Sequence, residues 1–105
     1  MVNLTRLIVY RFEDQVFSQI SNLNRNNDLR HPIKDEKTLI KLDNLFKEVE
    51  ELAKLCKKSE VDPLAKIYLE EMQVAIIQFR HGDITLFDFM KIAEKTKENL
   101  MELIK

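Results

Sequence analysis

The chain has almost none of the residues that interrupt helices. Its 105 residues include one glycine, Gly82, and two prolines, Pro32 and Pro63. Because glycine and proline are the residues least compatible with helix interiors, their scarcity favours long helices. Residues 7–10 are rich in β-forming side chains, so a short strand is the competing interpretation there. Since the sequence offers no second strand-like run for pairing, we predict a helix in this segment too.

Residues that carry catalysis or bind metals are also scarce. The sequence has one cysteine, Cys56, and two histidines, His31 and His81. A single cysteine cannot form an intrachain disulfide, and a zinc site normally requires three or four protein ligands. His81 closes a predicted helix, where a cationic side chain complements the negative end of the helix dipole. No glycine-rich segment is present that could hold a phosphate. We predict no catalytic residue, no metal site and no cofactor, and hence a protein that is not an enzyme.

A long apolar run is missing as well. The N-terminal residues show no basic leader, and the short apolar run at 7–10 is soon followed by Arg11, Glu13 and Asp14. A secretory signal has an apolar region of about 7–15 residues, and a membrane-spanning helix needs about 20. We therefore predict a cytoplasmic protein without membrane association.

Apolar residues at helical spacing predict four helices in one domain that covers residues 1–105. A chain of this length is typical of a single domain. The predicted helices cover residues 4–23, 36–58 and 64–81, and a last helix runs from residue 85 almost to the C-terminus. Short turns are predicted at 59–62 and 82–84, and a longer, mobile loop is predicted at 24–34. Together these elements predict an all-α fold, an antiparallel four-helix bundle that dimerisation could complete.

Residues with known capping preferences mark the predicted ends of the last two helices. Asp62 can cap the third helix, and Pro63 suits its first position. Gly82 can adopt the left-handed conformation that ends a helix. Thr85 and Asp88 have the spacing of a capping box, although aspartate is shorter than the usual glutamate or glutamine.

The first and third predicted helices carry more apolar surface than one buried face requires. In the third helix a second stripe lies opposite the main one, and in the first helix further apolar residues lie off the main face. Surplus apolar surface of this kind is usually covered by a partner or by a second copy of the chain. We predict a non-catalytic protein–protein interaction module, either a homodimer or a subunit or adaptor that binds another protein. Its predicted partner-binding residues are Tyr10, Phe17, Ile67, Val74 and Ile77. The alternative is that the third helix is central and enclosed by the other three.

The charge distribution leaves open a second function, that of a nucleic-acid-associated subunit. The formal net charge is −1, but residues 1–34 contain five basic and three acidic side chains, whereas the rest contains twelve basic and fifteen acidic ones. Basic side chains in the N-terminal third could neutralise phosphates. The candidates are Arg6, Arg11, Arg25 and Arg30. No aromatic residue lies within 24–34 to stack on a base, so this alternative depends on charge alone.

Overall fold

A computed structural model describes residues 3–26 and 36–105, with only the backbone described for residues 24–26. The described residues form four helices: α1 over residues 4–26, α2 over Glu36–Leu55, α3 over Pro63–Arg80 and α4 over Leu86–Glu102. No strand occurs in these two stretches, and residues 7–10 are helical. The predicted all-α fold is confirmed.

The helices pack around the bundle in the order of the chain. α1 contacts α2, α2 contacts α3, α3 contacts α4, and α4 contacts α1. α2 and α3 run antiparallel, since Arg80 at the end of α3 meets Asp43 in the first half of α2, with 3.3 Å between Nη2 and Oδ1. α1 and α3 therefore lie at diagonal corners. Because a helix at a corner directs its outer face away from the bundle axis, the outer faces of α1 and α3 point in opposite directions.

α1 is interrupted by a π-helical segment. The helix is α-helical over Leu4–Arg11, π-helical over Phe12–Phe17 and α-helical again over Ser18–Asn26. The N–H of Ser18 donates to the carbonyl of Glu13, five residues earlier, as in a π-helix. On a regular α-helix, positions eight residues apart differ by about 80° in direction. The wider turn reduces this difference, which allows Phe12, Val16 and Ile20 all to be fully buried.

Two predicted helix ends are wrong. α1 continues to Asn26 instead of ending at Leu23, so residues 24–26 do not belong to a loop. The low helix propensity of asparagine is worth only a few tenths of a kcal/mol, which is too little to end a helix already packed on its neighbours. The rest of the predicted loop, 27–34, lies outside the described residues. α2 ends at Leu55 instead of residue 58, because the chain tightens there into bonds between residues three apart.

Both ends of α3 are fixed by the predicted caps. At the start, the Asp62 carboxylate accepts a hydrogen bond of 2.9 Å from the N–H of Leu64. The N–H of Asp62 donates to Oγ1 of Thr5 over 2.9 Å, which ties this end of α3 to α1. At the other end, Gly82 has a φ of +78°. The N–H of Asp83 donates to the carbonyl of Gln78, in a Schellman arrangement.

An aromatic cluster holds the inner face of α3 against the core. The rings of Phe46, Phe79 and Phe89, from α2, α3 and α4, lie 5.5–6.0 Å apart between centroids. The guanidinium of Arg80 covers the Phe46 ring at 5.1 Å, a cation–π geometry. With its ends capped and its inner face packed, α3 presents its opposite side to solvent in a defined orientation.

Candidate functional site

The side of α3 that faces away from the bundle is unusually apolar. Eight large apolar side chains are exposed among the described residues, and four of them belong to α3. These are Leu64, Ile67, Val74 and Ile77, which are 44, 48, 54 and 56% exposed. The other four are shared between α1 (Leu7 and Tyr10) and α2 (Leu39 and Ile40). Leu64 lies about 90° around the helix from the middle of the other three, so we call Ile67, Val74 and Ile77 the α3 outer face.

These exposures decide between the two interpretations of the third helix. An enclosed central helix would bury both of its apolar stripes, but only the inner stripe of α3 is buried. That inner stripe consists of Ala65, Leu69, Met72, Ala75 and Ile76. The interpretation of α3 as a helix enclosed by the other three therefore does not hold.

The spacing of residues on the α3 outer face is that of a helix–helix seam. Ile67, Glu70, Val74, Ile77 and His81 are separated by three and four residues in alternation. This repeat keeps side chains in line along one side of a helix, as in the contact seam of a coiled coil. The line extends over about 21 Å at 1.5 Å per residue. Two residues of this line are polar: Glu70 lies between Ile67 and Val74, and His81 is the last residue of the line.

Polar residues border this seam and carry no excess of either charge. Lys66, Gln73 and Arg80 lie on one border, next to α2, whereas Glu71 and Gln78 lie on the other. Together with Glu70, they give two basic and two acidic side chains. Arg80 is already engaged, since it contacts Asp43 at 3.3 Å. A shallow groove of about 300 Å³ runs beside the first border, between α2 and α3.

The predicted partner-binding residues of α1 do not join this surface. Tyr10 is 46% exposed, and its hydroxyl accepts a hydrogen bond of 3.3 Å from Nη1 of Arg6. Phe17 is half-buried against the core, with Nζ of Lys97 at 4.2 Å from its ring centroid. Because α1 and α3 are diagonal, Tyr10 faces the opposite side of the molecule from Val74. The structure thus brings Ile67, Val74 and Ile77 together and leaves Tyr10 and Phe17 apart from them.

Glu70 and His81 belong to the surface but were not among the predicted partner-binding residues. The sequence contains a signal for Glu70 and His81, namely the alternating spacing of three and four that they continue. A pattern of apolar residues alone does not include these two positions, because both side chains are polar.

The arginines proposed for nucleic-acid binding do not form a basic cluster in the described part of the chain. Arg6 is exposed and contacts Tyr10. Arg11 is half-buried and forms an ion pair with Glu48 of α2 at 2.5 Å. The side chain of Arg25 and all of Arg30 lie outside what the structure describes. Only Arg6 is thus observed as an exposed arginine without a carboxylate partner within the described residues.

The described residues contain no metal-binding cluster, and their one cysteine is buried. Within residues 3–26 and 36–105, no three His, Cys, Asp or Glu side chains lie close enough to hold a metal ion. Cys56 is buried, and this burial, reinforced by the charge of Glu70, raises the pKa of its thiol from 9.0 to about 11. The thiol is therefore protonated and unreactive at neutral pH. None of the described helices is both long enough and apolar enough to cross a bilayer.

Comparison of the chain with protein-family models, with curated proteins and with solved structures gives no match. The feature of the described surface that points to a function is the α3 outer face, with its exposed apolar side chains.

Proposed function

We propose that this chain is a non-catalytic helical module that associates with a second copy of itself through the α3 outer face, and that it does so in the cytoplasm. The observation that supports this function is the concentration of exposed apolar side chains on one capped, well-packed helix. Exposed apolar surface is unfavourable in water by roughly 25 cal/mol per Å². Contact with a second α3 would remove part of this surface from water.

The charges around the surface favour a copy of the chain over a partner of strong opposite charge. Lys66 and Arg80 are balanced by Glu70 and Glu71 on the same side of the helix. A surface with both signs in balance has no net attraction for a strongly basic or strongly acidic protein. It can, however, complement itself, and a two-fold dimer needs only one such surface on each copy.

The position of α1 restricts the dimer to a single surface. The exposed apolar residues of α1, Leu7 and Tyr10, face away from the α3 outer face. If both sides bound further copies, the assembly would grow as an open chain instead of closing. A closed dimer therefore uses only one of them, and the richer apolar surface of α3 is the better candidate.

The size of the surface sets the expected strength of association. Specific interfaces of standard size bury about 800 Å² on each partner and involve about 20–30 residues a side. One helix face with three exposed apolar residues is smaller than this. We therefore expect a monomer–dimer equilibrium in the micromolar range, rather than a permanent dimer.

Sedimentation equilibrium or light scattering over a range from about 1 to 500 μM tests this function. The mean mass should rise with concentration from 12.5 kDa toward twice that value. Val74→Glu should remain a monomer, because it places an unpaired charge in the seam. Leu7→Glu, the same type of change on the diagonal helix, should dimerise like the unmodified chain. Circular dichroism should show both variants to be folded, since both positions are exposed.

Two outcomes would overturn the proposal. One is a constant mass of 12.5 kDa over the whole range for the unmodified chain. The other is a dimer that persists in folded Val74→Glu at the same affinity. If Leu7→Glu were the variant that became monomeric, self-association would have to be assigned to α1 instead.

A further inference from the structure

We infer that the two α3 helices pair antiparallel, with Val74 of each copy against the partner's Ile77 and Glu70 of each copy against the partner's His81. This inference rests on the proposed self-association and specifies its geometry. The seam is short and contains two polar side chains of different chemistry. Each way of pairing two copies therefore gives a different set of contacts, and these can be compared directly.

A parallel pairing places each seam residue opposite itself. Ile67, Val74 and Ile77 would then form three apolar layers, but Glu70 would face the partner's Glu70 between the first two of them. Like charges that face each other between helices are destabilising, and partial removal from water increases this cost. The acidic residue that interrupts the seam thus disfavours parallel pairing.

Antiparallel pairing offers several alignments, in which seam residues of the two copies alternate. If Ile67 faces the partner's Ile77, then Glu70 faces the partner's Val74, and a carboxylate lies unpaired on an apolar side chain. In the same alignment, Glu71 on the border approaches the partner's Glu71. Both contacts are unfavourable, because neither carboxylate gains a partner of opposite charge.

A shift by one seam repeat removes both conflicts. Val74 then faces the partner's Ile77, and Ile77 faces the partner's Val74, so that the centre of the seam is apolar. On either side of this centre, Glu70 faces the partner's His81. An imidazole N–H can donate to a carboxylate, and the two-fold axis produces this contact twice. Ile67 then lies just beyond the end of the partner's α3, which ends at Arg80.

The border residues are compatible with this alignment. In an antiparallel pair, each border of one helix meets the equivalent border of the other. Gln73 then approaches the partner's Arg80, and Glu71 approaches the partner's Gln78. An amide can hydrogen-bond to a guanidinium or to a carboxylate, so no like charges meet along either border.

Glu70 and His81 are free to make the contact across the dimer. Both side chains are exposed. Within the described residues, neither side chain takes part in an ion pair, although Arg80 next to His81 is held by Asp43. The pairing therefore breaks no observed ion pair of the single chain.

Disulfide trapping between single-cysteine substitutions tests the alignment. Glu70→Cys chains are mixed with His81→Cys chains under mild oxidation, and the products are identified by mass spectrometry. A disulfide requires Cα atoms within about 7 Å, so the mixed 70–81 product should form fastest. Glu70→Cys alone should give little product, because the two copies of position 70 would lie about 16 Å apart along the seam. Cys56 does not compete, since it is buried.

Leu7→Cys is the control for disulfides that form by random collision between chains, because Leu7 lies on α1, outside the proposed seam. A dominant 70–70 product would overturn the antiparallel alignment and leave self-association intact. Trapping no faster than for Leu7→Cys would overturn the alignment if the unmodified chain still dimerises by mass. If the unmodified chain is monomeric by mass, the proposed function itself fails.

Charge reversal supplies a second test without cysteine. Glu70→Lys should raise the dimer Kd by about tenfold, since both contacts with the partner's His81 are lost. Adding His81→Glu to that variant should restore most of the affinity, because the introduced ammonium and carboxylate groups can then pair. In a parallel pair, Glu70→Lys would replace one like-charge contact by another, and the Kd would not rise. No rise in Kd, or no recovery in the double variant, would contradict the inferred contact.

Discussion

At the scale of single residues, the capping box at the start of α4 shows how closely local chemistry fixes a helix boundary. Oγ1 of Thr85 accepts from the N–H of Asp88 over 3.1 Å, and the Asp88 carboxylate accepts from the N–H of Thr85 over 3.0 Å. The sequence alone does not predict the bond to the Asp88 carboxylate, because the aspartate side chain is shorter than the usual glutamate or glutamine. The structure contains both bonds, so two backbone donors of the first turn are satisfied.

Thr85→Ala should lower the free energy of unfolding by about 1 kcal/mol, since it removes the acceptor for one of these donors. Urea unfolding monitored by circular dichroism measures the change. Ser59→Ala is a suitable control, because Ser59 is an exposed hydroxyl residue that caps no described helix. Equal stability of Thr85→Ala and the unmodified chain would mean that the cap contributes nothing to α4.

Cys56 provides a second residue-scale prediction, concerning alkaline pH. Its pKa is raised from 9.0 to about 11 by burial, so the folded chain holds this proton more firmly than the unfolded chain does. The resulting contribution to stability is complete below pH 9 and declines as the pH rises through 9 to 11. Between pH 8 and pH 11, the unmodified chain should therefore lose about 2 kcal/mol more stability than Cys56→Ala. Parallel pH profiles for the two proteins would contradict this account.

At the scale of elements, the π-helical segment of α1 is the feature with the clearest consequence. It has one residue more per turn than the α-helical parts on either side, and that residue keeps both halves of α1 directed at the core. Phe12 and Val16 within the segment and Ile20 after it are fully buried. The segment therefore keeps the apolar side chains of both halves of α1 facing the core, and it does not weaken the packing of the helix.

A single-residue deletion tests this role. Deleting Gln15, an exposed residue of the π-helical segment, should convert the segment to a regular turn and leave the chain folded. Deleting Glu51, an exposed residue of the regular helix α2, should unfold the chain, because it rotates Leu52 by about 100° away from the core. Far-UV circular dichroism and thermal unfolding distinguish the two variants. Equal destabilisation by both deletions would show that the π-helical turn does not set the direction of α1.

At the scale of the whole molecule, the arrangement of charge bears on the nucleic-acid alternative. The chain has a formal net charge of −1, and Arg11, one of its four candidate phosphate-binding residues, is held by Glu48. Sequence-independent binding to DNA or RNA requires several basic side chains that are free to replace counterions. The described part of the molecule presents no such group of arginines.

The unmodified chain should therefore show no measurable affinity for DNA or RNA at about 50 mM salt, where electrostatic binding would be strong. Fluorescence anisotropy with a labelled duplex and a labelled single strand measures this. If binding is observed and weakens steeply with salt, the nucleic-acid function is supported. Arg25→Ala and Arg30→Ala would then show whether the N-terminal third is responsible, by lowering the salt dependence.

The fold class, the four helices of the described residues and several of their ends could be predicted from the sequence. These follow from local rules: helical spacing of apolar residues, the capping chemistry of Asp62 and Thr85, and the left-handed conformation of Gly82. Such rules depend only on neighbours along the chain. They failed at Leu23 and at the end of α2, where packing and local bonding outweigh weak propensities.

Which apolar stripes are covered and which surfaces lie together depends on how the helices pack, and this could not be predicted from the sequence. The spacing of Tyr10, Phe17 and Val74 identifies each as lying off a main stripe, but it does not say which helix is the neighbour. Phe17 is half-buried under Lys97 because α1 packs against α4. Val74 is exposed, and Tyr10 faces the opposite side of the molecule, because α1 and α3 lie at diagonal corners. A repeat of 3.6 residues per turn does not predict the π-helical turn either, because this turn is stabilised by contacts between helices.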